Sequence, residues 1–148
     1  MEIKIYTDGA CIGNPGPGGW AAVVLAGNKK KELFGGEKTT TNNRMELTAA
    51  IKGLEYCYEQ KEKNQSLKLI KIFTDSNYVK DGITIWINSW EKNNWKTSDK
   101  KNVKNIDLWK KLKNLTALNR IEWNWIKGHS ENPMNDLADK LAKRAAPI

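Results

Sequence analysis

Four acidic residues stand at positions where a chain of this kind could do metal chemistry. Asp8 closes an alternating segment, residues 2–8. Ile3, Ile5 and Thr7 share one of its faces and Glu2, Lys4 and Tyr6 the other, the pattern of a strand. Asp75 closes a second β-rich segment, Leu67 to Thr74. Glu46 is placed in the first turn of a helix marked by Leu47, Ala50, Ile51, Leu54 and Tyr58. Asp139 falls in a last helix whose apolar stripe is Leu137, Ala138, Leu141, Ala142 and Ala145. Sites in open α/β sheets form beyond the carboxyl ends of strands, so adjacent first and fourth strands would set Asp8 beside Asp75. Carboxylates held close together repel unless a proton or a cation intervenes. Cys11 and Cys57 have no C-x-x-C spacing and His129 is the only histidine, so no zinc-type ligand set is present. Hard oxygen donors favour Mg²⁺, or Mn²⁺.

Each acid taken alone has a structural alternative. Asp8-Gly9 is a common turn. Glu46 could complement a helix dipole, and Asp139 could pair with Lys143 at i+4. What adds to them is the charge. Lys and Arg number 25 against 17 Asp and Glu, a net charge of +8, and a chain this basic attracts polyanions. The charge is also clustered. Between Glu91 and Lys113 lie eight lysines, including Lys92, Lys96, Lys100, Lys101 and Lys104, against three acids. Trp86, Trp90, Trp95 and Trp109 flank or fall in the same stretch. Lysines neutralise phosphates and aromatic faces pack on sugars and bases. Amphipathic helices with Trp inside and Lys in water would produce part of the same pattern. Carboxylates plus a basic aromatic stretch point to metal-assisted phosphodiester chemistry.

The elements that must position these groups follow from punctuation and period. After the first strand, Gly13 to Gly19 reads as a turn-rich loop. Trp20 to Leu25 and Lys31 to Gly35 read as strands two and three of an antiparallel meander. Thr41, Asn42 and Asn43 are candidate N-caps of the first helix. Short helices are expected near 76–82, 84–92 and 105–115. Ile121, Trp123 and Trp125 alternate as strand five, residues 128–132 form a loop, and Pro133 suits the first turn of the last helix. The order β-β-β-α-β-α-α-α-β-α predicts an α/β fold. Its five-stranded mixed sheet has three antiparallel strands, plus two parallel ones reached by helical crossovers, and is flanked by helices.

The 148 residues suit one domain, 1–148, able to bury about two-thirds of the surface of its unfolded chain. No apolar run approaches a membrane span of about 18 residues. The N-terminus lacks a signal-peptide h-region, and cysteine usage fits a reducing, cytoplasmic setting. An amphipathic membrane anchor is also lacking.

Several motifs together resemble type 1 ribonuclease H, in the bacterial form with a basic protrusion. They are Tyr6-Thr7-Asp8-Gly9-Ala10-Cys11, Gly13-Asn14-Pro15-Gly16, Thr41-Asn42-Asn43-Arg44-Met45-Glu46, Phe73-Thr74-Asp75-Ser76, Trp95-Lys96-Thr97 and Lys127-Gly128-His129. The resemblance runs from residue 6 to about residue 142 and keeps the family's order. It implies a ribonuclease H-like fold. It also implies an endoribonuclease that cuts the RNA strand of RNA–DNA hybrids and leaves 5′-phosphate and 3′-hydroxyl ends. Asp8, Glu46, Asp75 and Asp139 would hold two divalent ions, Mg²⁺ or Mn²⁺, that activate water and stabilise the leaving 3′ oxygen. His129 would assist by moving a proton or easing product departure. Cys11, Asn14, Asn42, Asn43 and Asn77 would contact the hybrid's minor groove, where the 2′-hydroxyl identifies RNA. Asn77 departs from the longer Gln common in relatives. Thr41 and Asn105 would hold a DNA phosphate, although either could instead cap a helix. Trp86, Trp90 and Ser98 would line a DNA channel. Lys92, Lys96, Lys100, Lys101 and Lys104 would form the protrusion. The implied enzyme is a monomer with no obligate protein partner. The alternative is a non-catalytic nucleic-acid-binding module on the same fold, which could dispense with clustered carboxylates.

Overall fold

A computed structural model describes residues 2–60, 69–127 and 132–147. Strands β1 (Glu2–Cys11), β2 (Gly16–Ala26) and β3 (Lys29–Thr40) precede helix α1 (Asn42–Gln60). Strand β4 (Leu69–Thr74) is followed by α2 (Asn77–Asp81), a π-helical turn (Gly82–Trp86), α3 (Ile87–Lys92) and α4 (Ile106–Thr116). Strand β5 (Ile121–Trp125) and helix α5 (Pro133–Ala145) complete the order. The sheet runs β3-β2-β1-β4-β5. The first three strands pair antiparallel, while β4 and β5 join in parallel, as the sequence predicts.

Both faces of the sheet are covered, which places β1 at the centre of two cores. Ile3, Ile5, Ala22, Val24, Ile70 and Ile72 face α1 and pack with Leu47, Ile51 and Leu54. Tyr6, Ala21 and Val23 face the other way, against Ala138 and Ala142 of α5. Tyr6 also stacks on Phe73 at 4.5 Å between ring centroids. The predicted stripe of α5 is therefore the one that docks, and Asn132 caps that helix by accepting from the N–H groups of Met134 and Asn135.

Several boundaries differ from the sequence reading. β1 continues past Asp8 to Cys11, because β2 pairs with it as far as the Cys11–Gly18 rung. Gly16 to Gly19 belong to β2 rather than to a loop, and β3 extends from Lys29 to Thr40. Residues 77–92 form one continuous helical run with a π turn inside it, not two separate helices. The start expected for strand four at Leu67 lies outside the described residues.

Candidate active site

The parallel ladder between β1 and β4 ends at the Tyr6–Phe73 rung. Asp8 and Asp75 each stand two residues further on. Equal offsets from one rung put both acids at the same end of the sheet, Asp8 within β1 and Asp75 just past the end of β4. Asp8 is thus at the end of the parallel ladder but inside the antiparallel one. There it is held rigidly by its rung partner Ala21.

Helix α1 brings the third acid. Thr41 is its cap, accepting at Oγ1 from the Arg44 N–H (3.2 Å), and Asn14 Oδ1 accepts from the Asn42 N–H (3.0 Å). Of the three candidate caps, Thr41 fills the role. Glu46 is the fifth residue of α1, beyond the first turn where it was expected, so it does not serve the helix dipole. It reaches β1 because Gly9 lets the two backbones touch. A Cβ on Gly9 would come within 2.6 Å of the Glu46 nitrogen. The Gly9 N–H donates to Asp8 Oδ1 (2.9 Å) and to Glu46 Oε1 (3.1 Å).

Oxygens of Asp8, Glu46 and Asp75 all lie within 4.8 Å of one another. Asp8 and Glu46 are buried. Burial first, then the charge of Asp75, holds the Asp8 carboxyl up at about 7. Burial, followed by the charges of Asp8 and Asp75, raises Glu46 well above the ordinary carboxyl range. Glu46 Oε2 is buried and has no hydrogen-bond partner among the described residues. An acceptor left bare among other acceptors fits a cation, and the all-oxygen donor set fits a hard one.

Asp139 joins at the rim. It comes within side-chain hydrogen-bonding reach of Asp8 and pairs with Lys143 at 3.0 Å. The i+4 pair and the place in the site therefore coexist. The four acids line a cavity of about 510 Å³ together with Asn42, Asn43 and Asn77. His129 lies outside the described residues.

The remaining candidates divide into two groups. Cys11 sits at the end of β1, its thiol donating to the Thr40 carbonyl (3.4 Å), close to the Asn14–Asn42 contact. Thr41 and Asn105 are joined through Arg44, whose N–H reaches Thr41 while its guanidinium donates to Asn105 Oδ1 (3.2 Å). Asn105 occupies the N-cap position of α4 but makes no side-chain cap bond, so the capping alternative fails there. Its φ of 60° is left-handed, a region that asparagine tolerates well. Tyr78 accepts from Asn105 Nδ2 and from Trp109 Nε1, and it lines both the acid cavity and a second groove.

That second groove, about 290 Å³, is lined by Trp90, Thr97, Lys101 and Lys104 among others. Trp86 and Trp90 meet at a tilt in an aromatic run, 5.9 Å between ring centroids and 46° between planes, whereas Trp109 is wholly buried and serves the core. Ser98 is exposed beside Thr97 and is not among the groove's lining residues. Lys92, Lys96, Lys100, Lys101 and Lys104 are all exposed.

Sequence reasoning missed Gly9, Arg44, Tyr78 and Asn135. Gly9 and Arg44 lie inside quoted motifs but carry no side-chain chemistry of the expected kind. Asn135 stands one turn before Asp139, lines the same cavity, and buries an amide oxygen with no partner among the described residues. Its i, i+4 spacing to Asp139 was the available signal.

A family model described as RNase H matches residues 1–147. A ribonuclease H of Parvibaculum lavamentivorans is 51% identical over 142 residues, covering 96% of this chain and 90% of that protein. A ribonuclease H of Dechloromonas aromatica is 55% identical over 145 residues, covering 96% and 91%. Among solved structures, LC9-RNase H1 superposes with a TM-score of 0.83 at 29% identity, covering 98% of this chain and 72% of that one. It is described as a type 1 RNase H with the type 2 active-site motif. LC11-RNase H1, solved in complex with an RNA/DNA hybrid, shares the fold with a TM-score of 0.74 at 23% identity, covering 97% and 96%.

Proposed function

The chain belongs to the ribonuclease H family, and on that premise we propose that it hydrolyses the RNA strand of RNA–DNA hybrids as a metal-dependent endoribonuclease. The observation that carries this reading is the convergence of Asp8, Glu46 and Asp75 within 4.8 Å beside a buried Glu46 oxygen that has no partner among the described residues. We assign Asp8, Glu46, Asp75 and Asp139 as ligands of two Mg²⁺ ions, with Mn²⁺ as a substitute. Ions held there would supply Lewis-acid chemistry, activating water for attack on phosphorus and stabilising the departing 3′ oxygen.

The protein's own contribution is placement. The Gly9 N–H orients one oxygen each of Asp8 and Glu46, and the strand ends hold Asp8 and Asp75 in register. Preset carboxylates need no reorganisation as charge moves in the reaction. Asn42, Asn43 and Asn77, on the rim of the same cavity, suit contact with 2′-hydroxyls and base edges, with Cys11 and Asn14 continuing that line. Thr41 and Asn105, tied by Arg44, suit a DNA phosphate. Trp86, Trp90 and Ser98, with Lys92, Lys96, Lys100, Lys101 and Lys104, would guide the DNA strand. His129 would handle a proton near the departing product.

The whole of residues 1–148 is read as one ribonuclease H domain, supported by the family match over 1–147. Among the described residues, no helix is long and apolar enough to cross a membrane. We place the enzyme in the cytoplasm as a monomer without an obligate protein partner.

The test is direct. An end-labelled RNA–DNA hybrid is incubated with and without Mg²⁺, alongside double-stranded RNA and double-stranded DNA. Cleavage confined to the RNA of the hybrid, dependent on Mg²⁺ and leaving 5′-phosphate ends, is expected. Tight hybrid binding without cleavage would instead favour the non-catalytic module.

A further inference from the structure

Trp125 ends β5 and is the rung partner of Thr74, which ends β4. The residue is 42% exposed, so burial of apolar surface accounts for its place only in part. Its indole Nε1–H donates to the main-chain carbonyl of Asp75 at 3.2 Å. Lys80, from α2, lies over the ring at 5.8 Å from the centroid and helps to orient it.

The indole bond meets Asp75 where the sheet has ended. The β4 ladder stops at Thr74, and α2 starts only at Asn77. The groups on either side of Asp75 are fixed. The Thr74 carbonyl accepts from the Ile126 N–H (2.8 Å), and the Ser76 N–H donates to Thr74 Oγ1 (3.1 Å). The Ser76 carbonyl accepts from the Lys80 N–H (3.1 Å). The peptide that joins Asp75 to Ser76 is thus held at its N–H end by Thr74 Oγ1, and the indole reaches across from the neighbouring strand to hold its carbonyl end.

We propose that Trp125 is a positioning residue of the active site, its indole N–H fixing the Asp75 peptide so that the Asp75 carboxylate points at Asp8 and Glu46. The inference rests on the reading of Asp75 as a metal ligand. Without the indole bond the carbonyl end of this peptide loses that hold, and the peptide can tilt about the Ser76 N–H anchor and carry the carboxylate off its line. Partners of ligands, one shell out, commonly change metal affinity by 10–100-fold when lost.

The test measures Mn²⁺ binding by calorimetry on the whole protein without substrate, together with kcat and KM on a hybrid. The variants are Trp125→Phe and a site-specific replacement of Trp125 by its benzothiophene isostere, which keeps the ring's size but has sulfur in place of N–H. Both should bind Mn²⁺ about tenfold more weakly. Both should also lose kcat at limiting Mn²⁺, recover it as Mn²⁺ rises, and keep the hybrid KM within about twofold. If Trp125→Phe fails to fold, the isostere alone decides. Unchanged Mn²⁺ affinity in the isostere overturns the inference, whatever Trp125→Phe does, because ring packing would then be responsible. Asp75→Asn is measured in parallel. If it retains Mn²⁺ binding and turnover, the ligand assignment itself fails. If it loses both while the Trp125 variants do not, only the role of the indole fails.

Discussion

Arg44 and Asp107 meet as a two-pronged pair, Nη1 to Oδ1 at 3.1 Å and Nη2 to Oδ2 at 2.8 Å. The pair ties the start of α1 to the start of α4. The same guanidinium donates to Asn105 and so links the two residues proposed for a DNA phosphate. The Arg44 hydrogen bond holds the Asp107 carboxyl below its ordinary range.

Asp107→Ala should therefore act on substrate binding more than on stability. The Asp107 side chain is 62% exposed, so the pair contributes no more than about 0.5–1 kcal/mol to folding. Without it, Arg44 and Asn105 lose their common orientation. The expected result is a hybrid KM raised about three- to tenfold with kcat within about twofold, as for loss of uniform binding. A fall in kcat at constant KM would contradict it.

Asp8→Asn and Asp75→Asn should each abolish turnover at saturating Mg²⁺ while leaving hybrid affinity within about threefold. Gel-shift affinity and single-turnover cleavage on the same preparations check this. Residual cleavage near the parent rate in either variant removes that residue from the ligand set.

The pH dependence of stability without metal follows from Asp8. Its carboxyl stands at about 7 in the fold against an ordinary 3.8. The folded state holds the proton over a range where the unfolded state has lost it. This contribution to stability is therefore full below about pH 4 and is lost as pH rises to about 7. In chelator, the stability of the parent relative to Asp8→Asn should fall across that window and level off above it. At pH 8 the variant should be the more stable by about 1–3 kcal/mol. Thermal melts of both proteins from pH 4 to 8 give the comparison, and parallel curves would contradict it. Added Mg²⁺ should favour the parent.

Neutralising Lys92, Lys96, Lys100 and Lys101 together should raise KM far more than it lowers kcat. All four side chains are exposed, away from the residues that line the acid cavity. The plot of log affinity against log salt should become shallower, since fewer phosphates are neutralised. An unchanged slope would make the stretch a solvated surface only.

His129→Ala should slow steady-state turnover by about 10- to 100-fold, at or below the usual range for lost acid–base help. If its role is in product departure, single-turnover cleavage should be less affected than steady-state turnover. Equal losses would assign it to the chemical step.

The order of the elements, the last helix and three of the four acids were legible because they rest on local pattern. Period-two alternation marked β1 and β5, and the spacing of Leu137, Ala138, Leu141 and Ala142 marked the docking face of α5. Quoted motifs around Asp8, Glu46 and Asp75 were legible for the same reason. Asp139 was also named, but its dual position, paired with Lys143 and in reach of Asp8, could not be told from i+4 spacing alone. The ends of elements were not legible. β1 runs to Cys11 only because β2 pairs with it there, and nothing in the local pattern of residues 8–11 marks that pairing.

What the amino-acid order determined by itself was which residues could do chemistry and which elements would carry them. What only the tertiary structure decided was the approach between elements. Gly9 matters because α1 crosses β1 within 2.6 Å of where a Cβ would stand. Arg44 matters because α4 starts beside it, and Trp125 because β5 ends where Asp75 leaves the sheet. Each of these relations joins residues 37 to 63 positions apart. Local propensity acts over a few residues, whereas such contacts form only when packing of the two cores brings distant backbones together.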